Sequence, residues 1–141
     1  MSSQNISSAL RQLVTEQSQY RCSYCQTQMD ISGIQFTLDH IIPESLGGLT
    51  ETNNLCLACW DCNLIKQNRI SVHDPQTAEL IALFHPRQDQ WHEHFVWQED
   101  GLLLAGITAK GRATVAYLKL NRPILLKARE RWIKVGWHPP E

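Results

Sequence analysis

The sequence predicts an α+β fold, because two short segments typical of strands are followed by a segment typical of a helix. Residues 35–41 are rich in β-branched and aromatic residues, and Pro43 ends this predicted strand. The polar, glycine-containing residues 44–52 predict a loop. We expect a second short strand at residues 54–57 and a short helix at residues 59–69. The prediction centres on this order of strand, loop, strand and helix.

One helix is predicted before this segment. Apolar residues recur on one face of a helix from Ile6 to Val14, which predicts a helix over residues 6–17. We expect residues 1–70 to form one module and residues 71–141 to form an extension that packs on it. A chain of 141 residues has the usual length of one domain, so a single compact unit is expected.

The extension is predicted to contain a β-hairpin and two helices. The predicted strands and the first helix cover residues 91–98, 102–107 and 109–120. Asp100-Gly101 is a dipeptide that favours hairpin turns. Thr108 is the expected cap of the first helix, and Asn121 that of a last helix ending before Gly136. Residues 78–84 fit a helix and a strand equally well.

Charge is unevenly distributed along the chain. Residues 1–100 carry five basic and twelve acidic side chains, a net charge of −7, whereas residues 101–141 carry eight basic and two acidic ones, a net charge of +6. Such asymmetry indicates a polyanionic partner, although the solvated faces of two helices give the same count.

Cysteine spacing predicts a metal site, with Cys22-x2-Cys25 followed by Cys56-x2-Cys59-x2-Cys62. Two C-x2-C pairs supply the four thiolates of a tetrahedral zinc site. We assign Cys22, Cys25, Cys59 and Cys62 as structural zinc ligands. Cys59 and Cys62 bracket the predicted turn from strand to helix, whereas Cys56 lies within the strand. A Cys56–Cys59 pair, an iron–sulfur cluster, a thioredoxin-like redox motif and unligated core cysteines are the alternatives.

Cysteine usage and hydropathy also bear on location. An odd number of cysteines in this spacing is typical of a reducing compartment. The sequence has no apolar run near the roughly 18 residues that span a bilayer, and it does not begin like a signal peptide. We therefore expect a cytoplasmic protein without a membrane partner.

Residues suited to phosphodiester hydrolysis lie between and after the cysteine pairs. Asp39-His40 ends the first predicted strand, and Asn63 directly follows Cys62. An imidazole such as that of His40 can take a proton from water near neutral pH. Asp39 and Asn63 offer the hard oxygen ligands that Mg²⁺ or Mn²⁺ prefers. Lys66, one helical turn after Asn63, would bring an ammonium group to a phosphate.

These motifs resemble the zinc-containing HNH endonucleases, whose catalytic module is the ββα-metal or His-Me finger. The resemblance covers residues 20–69 and joins the cysteine pairs, Asp39-His40-x2-Pro43, a glycine-bearing loop, Asn54-Leu55 and Cys62-Asn63-x2-Lys66 in order. Trp60, Asp61 and Gln67 stand where many relatives carry basic residues or a glycine. We expect Trp60 to pack rather than to stack on a base.

The resemblance implies a metal-dependent endonuclease that hydrolyses phosphodiester bonds in DNA. It implies that His40 is the general base, that Asp39 and Asn63 hold a catalytic Mg²⁺ or Mn²⁺, and that Zn²⁺ is structural. Asn54 would orient the loop that carries His40. The expected nucleic-acid contacts are Lys66, Arg69, Arg129 and Arg131. The alternative is a non-catalytic zinc module that binds nucleic acid or protein.

Two histidines of the extension have a spacing that allows a metal site. His92 and His94 are two residues apart, so on a strand both would lie on one face and could bind a metal. A polar strand face explains the same spacing and is the interpretation that we favour.

Overall fold

The computed structural model describes residues 6–140, which belong to two compact units. The first unit comprises the chain up to Ile70 together with His85–Gln88. The second comprises Ser71–Phe84 and the residues from Asp89 onwards. No helix within residues 6–140 is long and apolar enough to cross a membrane.

The first unit contains the predicted helix and the predicted order of strand, loop, strand and helix, together with a short helix, α2, that was not predicted. Its helices and strands are α1 (Ser8–Gln17), α2 (Met29–Ser32), β1 (Thr37–His40), β2 (Leu55–Ala58) and α3 (Trp60–Lys66). The two strands pair in antiparallel fashion, with His40 opposite Leu55. The mixed helix and strand composition confirms the predicted α+β class.

Local capping and burial explain these elements. Ser7 caps α1, since its Oγ accepts a hydrogen bond of 3.1 Å from the backbone N–H of Leu10. The buried Val14 anchors the apolar face of α1, which packs against β2. All four residues of β2 are buried, as are three of the four in β1. The hairpin therefore forms the centre of this unit.

The second unit consists of two short hairpins and two longer helices. Its elements are β3 (Ser71–His73), β4 (Leu80–Ala82), α4 (Trp91–His94), β5 (Phe95–Gln98), β6 (Leu103–Gly106), α5 (Ala109–Tyr117) and α6 (Pro123–Lys134). β3 pairs with β4, and β5 pairs with β6. Thr108 caps α5 as predicted, because its Oγ1 accepts a hydrogen bond from Gly111. Residues 78–84, which fit a helix and a strand equally well in the sequence, contain strand β4. Its partner, β3, was not predicted.

Two predictions for this unit are wrong. Residues 91–94 form the helical turn α4 instead of strand, so His92 and His94 do not share a strand face that could hold a metal. His94 contacts Thr108 instead, with its Nδ1 2.7 Å from Oγ1. Asn121 does not cap α6, because its side chain pairs with the backbone of Leu104 in both directions. Arg122 occupies the N-cap position, where its side chain makes no capping hydrogen bond to α6 and instead donates to the carbonyls of Leu118 and Lys119.

Candidate active site and cysteine cluster

Asp39 lies at the buried centre of the β1–β2 hairpin. Its side chain is only 3% exposed, and the hydroxyl of Tyr24 donates a hydrogen bond of 2.7 Å to Oδ2. The ammonium of Lys66 lies 3.0 Å from the same oxygen. Burial raises the pKa of the Asp39 carboxyl, and the nearby charge of Lys66 partly opposes that shift. The carboxylate is thus a buried group with two donors.

Lys66 ties the end of β1 to α3. Its side chain is 2% exposed, and its ammonium donates to the carbonyls of His40 and Ile41 at 3.3 and 3.1 Å in addition to Asp39. The predicted phosphate contact of Lys66 is therefore wrong, because an ammonium in this position does not reach the surface. All three of its donors are directed to protein oxygens.

One ring nitrogen of His40 makes a hydrogen bond within the described residues, and the other does not. Its Nε2 lies 2.9 Å from the hydroxyl of Thr50, in the loop that follows β1. Its Nδ1 is buried and has no hydrogen-bond partner among residues 6–140. When Nε2 carries the proton and donates to Thr50, Nδ1 keeps its lone pair. That arrangement is the one a general base requires.

Asn54 closes the loop between the two strands. Its Oδ1 accepts from the backbone N–H of Ile42 at 2.8 Å, and its Nδ2 donates to the carbonyls of Ile42 and Leu49, each at 2.9 Å. Gly48 makes this closure possible, since a Cβ there would come within 1.7 Å of the Ile42 carbonyl oxygen. Asn54 therefore fixes the segment that follows His40 and contains Thr50.

Asn63 lies on α3, one residue after Cys62. Its residue is 7% exposed, and α3 packs against β1, the strand that carries Asp39. Oxygen donors from a strand and from the helix beside it are the arrangement predicted for a catalytic cation. The donor chemistry fits Mg²⁺ or Mn²⁺, although the Asp39 carboxylate is shared with Lys66.

Four cysteines converge beside this site. The Sγ atoms of Cys22, Cys25, Cys59 and Cys62 all lie within 4.8 Å of one another, which is compatible with structural zinc. Cys59 also caps α3, because its Sγ accepts from the backbone N–H of Cys62. Burial raises the pKa of Cys22, whereas hydrogen bonds from its thiol neighbours lower that of Cys25.

Cys56 lies outside the cluster. It faces Asp39 across the hairpin, and its Sγ is 3.7 Å from the hydroxyl of Tyr24. Burial, followed by the charge of Asp39, raises the pKa of Cys56 to about 12. A thiol with that pKa stays protonated, so Cys56 is a packed side chain of the strand.

The basic extension has fewer free charges than its sequence indicates. Arg129 is fully buried, and its guanidinium donates to the carbonyls of Leu102 and Leu120 at 3.1 and 2.6 Å. The predicted nucleic-acid contact of Arg129 is therefore wrong. Arg131 and, in the first unit, Arg69 are exposed.

Comparison with known proteins agrees with the geometry. The family model described as HNH endonuclease matches residues 22–69, about a third of the chain. No curated protein matches the chain. The predicted resemblance is confirmed over this segment, which contains the cysteine cluster, Asp39, His40, Asn54 and Asn63. The family suggests a nuclease-type function for this part of the protein.

Three features of the site were not predicted. Tyr24 and Thr50 are partners of Asp39 and His40, and Arg87 donates from its Nε to the carbonyl of Leu55 at 2.9 Å. Tyr24 lies between two cysteines that were assigned to zinc, and Thr50 belongs to the glycine-bearing loop. Their positions beside these motifs are the only sequence signal for Tyr24 and Thr50.

Proposed function

We propose that this protein is a metal-dependent HNH endonuclease that hydrolyses phosphodiester bonds in DNA, with His40 as the general base. The observation that carries the proposal is the buried Nδ1 of His40, which has no partner in the described part of the chain while Thr50 holds Nε2. A buried polar atom without a partner costs free energy unless a ligand uses it. A water molecule about to be deprotonated is such a ligand.

The residues around His40 define its part in the reaction. Nδ1 accepts a proton from water, the water oxygen forms a bond to phosphorus, and the bond from phosphorus to the leaving 3′ oxygen breaks, after which that oxygen takes a proton from solvent water. The resemblance implies products with a 5′-phosphate and a 3′-hydroxyl. Thr50 keeps the ring in orientation, and Asn54 keeps the backbone after His40 in place. General-base catalysis of this kind contributes typically about 10²–10⁴-fold in rate.

Two metals belong to the proposal. Zn²⁺ would be held by the four clustered thiolates and would stabilise the fold. Asp39 and Asn63 would hold Mg²⁺ or Mn²⁺, which when bound neutralises negative charge on the phosphate. Because the ammonium of Lys66 lies 3.0 Å from Oδ2 of Asp39, we expect it to weaken cation binding at this carboxylate.

An exposed stripe on α6 is the proposed contact with the DNA backbone. Lys127, Arg131 and Lys134 are exposed and fall at i, i+4 and i+7, one face of the helix. Reversal of Lys127 and Arg131 to Glu should weaken binding to all sequences alike. The slope of log affinity against log salt should become shallower by about 0.9 for each phosphate that the variant no longer neutralises. Unchanged affinity and slope would show that this stripe does not contact DNA.

A non-catalytic zinc module is the second candidate, and the Asp39–Lys66 ion pair favours it because an ammonium already occupies the carboxylate. Nicking of supercoiled plasmid distinguishes the two. The purified protein should nick plasmid with Mg²⁺ or Mn²⁺ and not in EDTA, and His40→Ala should be inactive. Binding of plasmid without nicking under any cation would refute the nuclease and leave the binding module.

A further inference from the structure

A cleft runs along one face of α3 in the first unit. It has a volume of about 340 Å³ and is lined by Trp60, Asn63, Leu64, Gln67 and Asn68. Trp60 is 61% exposed and Leu64 60%, so the expected packing role of Trp60 is wrong. The two side chains are one helical turn apart and share a face of α3. A large aromatic surface is thus left open beside polar amide groups.

The backbone at Gln67 points to a use for its side chain. Gln67 ends α3 with φ 53° and ψ −128°, in the half of backbone space that favours glycine. A glycine would make the turn without strain, so the turn itself does not explain a glutamine. Its side chain is exposed and lines the cleft.

The chemistry of the lining selects one class of occupant. All five lining residues are uncharged, so the cleft offers no cation to a phosphate. It offers the indole face of Trp60 and the exposed carboxamides of Gln67 and Asn68, each able both to donate and to accept hydrogen bonds. An aromatic surface with mixed donors and acceptors matches the face and the edge of a nucleobase. Asn63 belongs to both the cleft and the proposed cation site, which places this base next to the reacting phosphate.

We propose that the cleft is a nucleobase subsite. It binds an unpaired base whose nucleotide adjoins the phosphate that is attacked by the water deprotonated by His40. The base stacks on Trp60, and the carboxamides of Gln67 and Asn68 contact its edge. This inference rests on the proposed nuclease function. Bases within a continuous duplex have both faces covered, so a base must leave the stack to enter the cleft. The preferred substrate is therefore DNA with an unpaired nucleotide at the cleavage site.

A binding experiment tests this subsite without cleavage. Fluorescence anisotropy without added divalent cation measures affinity for three labelled DNAs of one sequence: a continuous duplex, a duplex with one bulged thymidine, and the same bulge with an abasic residue. The wild type should bind the thymidine bulge about tenfold or more tightly than the abasic bulge. Trp60→Ala should lose this preference and bind the abasic bulge as the wild type does. Trp60→Phe should keep part of it.

Matched controls separate stacking from folding. Trp137, a tryptophan 53% exposed in the second unit, is replaced by Ala and should leave the preference unchanged. Zinc content and circular dichroism establish that Trp60→Ala is folded. Gln67→Gly removes the carboxamide and relaxes the turn, so it should narrow the differences in affinity among bulged thymidine, cytidine, adenosine and guanosine.

Three outcomes would overturn the subsite. The first is equal affinity of the wild type for the thymidine bulge and the abasic bulge. The second is that Trp60→Ala lowers the affinity for these two DNAs by the same factor. The third is that the wild type binds the continuous duplex more tightly than the thymidine bulge. Plasmid nicking by the wild type in any of these cases would leave the nuclease proposal intact. A thymidine preference that depends on Trp60, in a protein that cleaves neither plasmid nor the bulged duplex with Mg²⁺ or Mn²⁺, would support the subsite and refute the nuclease.

Discussion

Replacement of Lys66 by Met is expected to destabilise the first unit strongly. Met has a similar length but no charge, so the substitution leaves Asp39 buried with Tyr24 as its remaining donor. The carbonyls of His40 and Ile41 also lose a donor. Removal of one partner from a buried ion pair costs about 3–5 kcal/mol, and the pair is only 2–3% exposed, so solvent does not screen it. We expect a loss in that range at pH 7.

A second substitution distinguishes the ion pair from simple packing. Asp39→Asn together with Lys66→Met removes both charges and keeps similar volumes, and paired replacements of this kind are often close to neutral. The double variant should therefore be more stable than Lys66→Met alone. Arg69→Met, an exposed cation three residues further on, is the control and should change stability little.

Urea unfolding followed by circular dichroism measures these differences, with zinc release as a second signal from the first unit. Lys66→Met at wild-type stability would refute the argument that Lys66 compensates a buried charge. So would a double variant less stable than Lys66→Met. Either result would mean that water or a bound cation already screens Asp39.

Further predictions concern the base, the cysteines and an ion pair of the second unit. His40→Ala should lower the nicking rate about 10²–10⁴-fold with DNA affinity and zinc content retained, and wild-type activity in a nuclease-free preparation would exclude His40 as the base. Cys62→Ser should lose zinc, which contributes on the order of 10 kcal/mol in small modules, whereas metal analysis of Cys56→Ser should still find one zinc per chain. The hydrogen bond from Arg112 lowers the pKa of Asp74 to about 2, so its stabilisation is complete above the unfolded pKa near 4 and is lost as pH falls toward 2. Asp74→Asn should accordingly lower the thermal midpoint much more at pH 6 than at pH 2, and an equal decrease at both would contradict this.

Local signals explain why much of the first unit was predictable. The helix at 6–17 follows from apolar periodicity, and the strand–loop–strand–helix order follows from residue preferences within single segments. The cysteine cluster was predictable because two short C-x2-C spacings restrict where the thiols can lie. Each of these signals acts over a few residues, so tertiary contacts did not have to be known.

The errors arose where a distant contact decides the role of a polar side chain. Lys66 follows Asn63 on a helix, a position that favours a surface role, but Asp39 lies 27 residues earlier in the chain and draws its ammonium inward. Asn121 precedes a helix and has the chemistry of a cap, yet the open backbone groups of Leu104 take its carboxamide. Helix position alone cannot reveal such partners.

The charge count overestimated the positive surface of residues 101–141 for the same reason, because distant residues pair with its basic side chains. Eight basic residues in 101–141 indicated a strongly positive surface. Arg129 is buried against carbonyl oxygens, and Arg112 and Lys110 pair with Asp74 and Asp89. The exposed stripe on α6 is consequently a smaller positive surface than the net charge of +6 implies.

Helix α3 links the cysteine cluster to the proposed active site. Its cap is Cys59, its first turn carries Cys62, and the next positions along it include Asn63 and Lys66. Loss of zinc should therefore disturb a cation ligand and the Lys66 bond to the His40 carbonyl together, although neither residue is one of the four cysteines. Cys62→Ser and His40→Ala should thus both abolish nicking for different reasons. Only Cys62→Ser should also lose the urea transition of the first unit. Loss of that transition in His40→Ala would contradict the separation of base from scaffold.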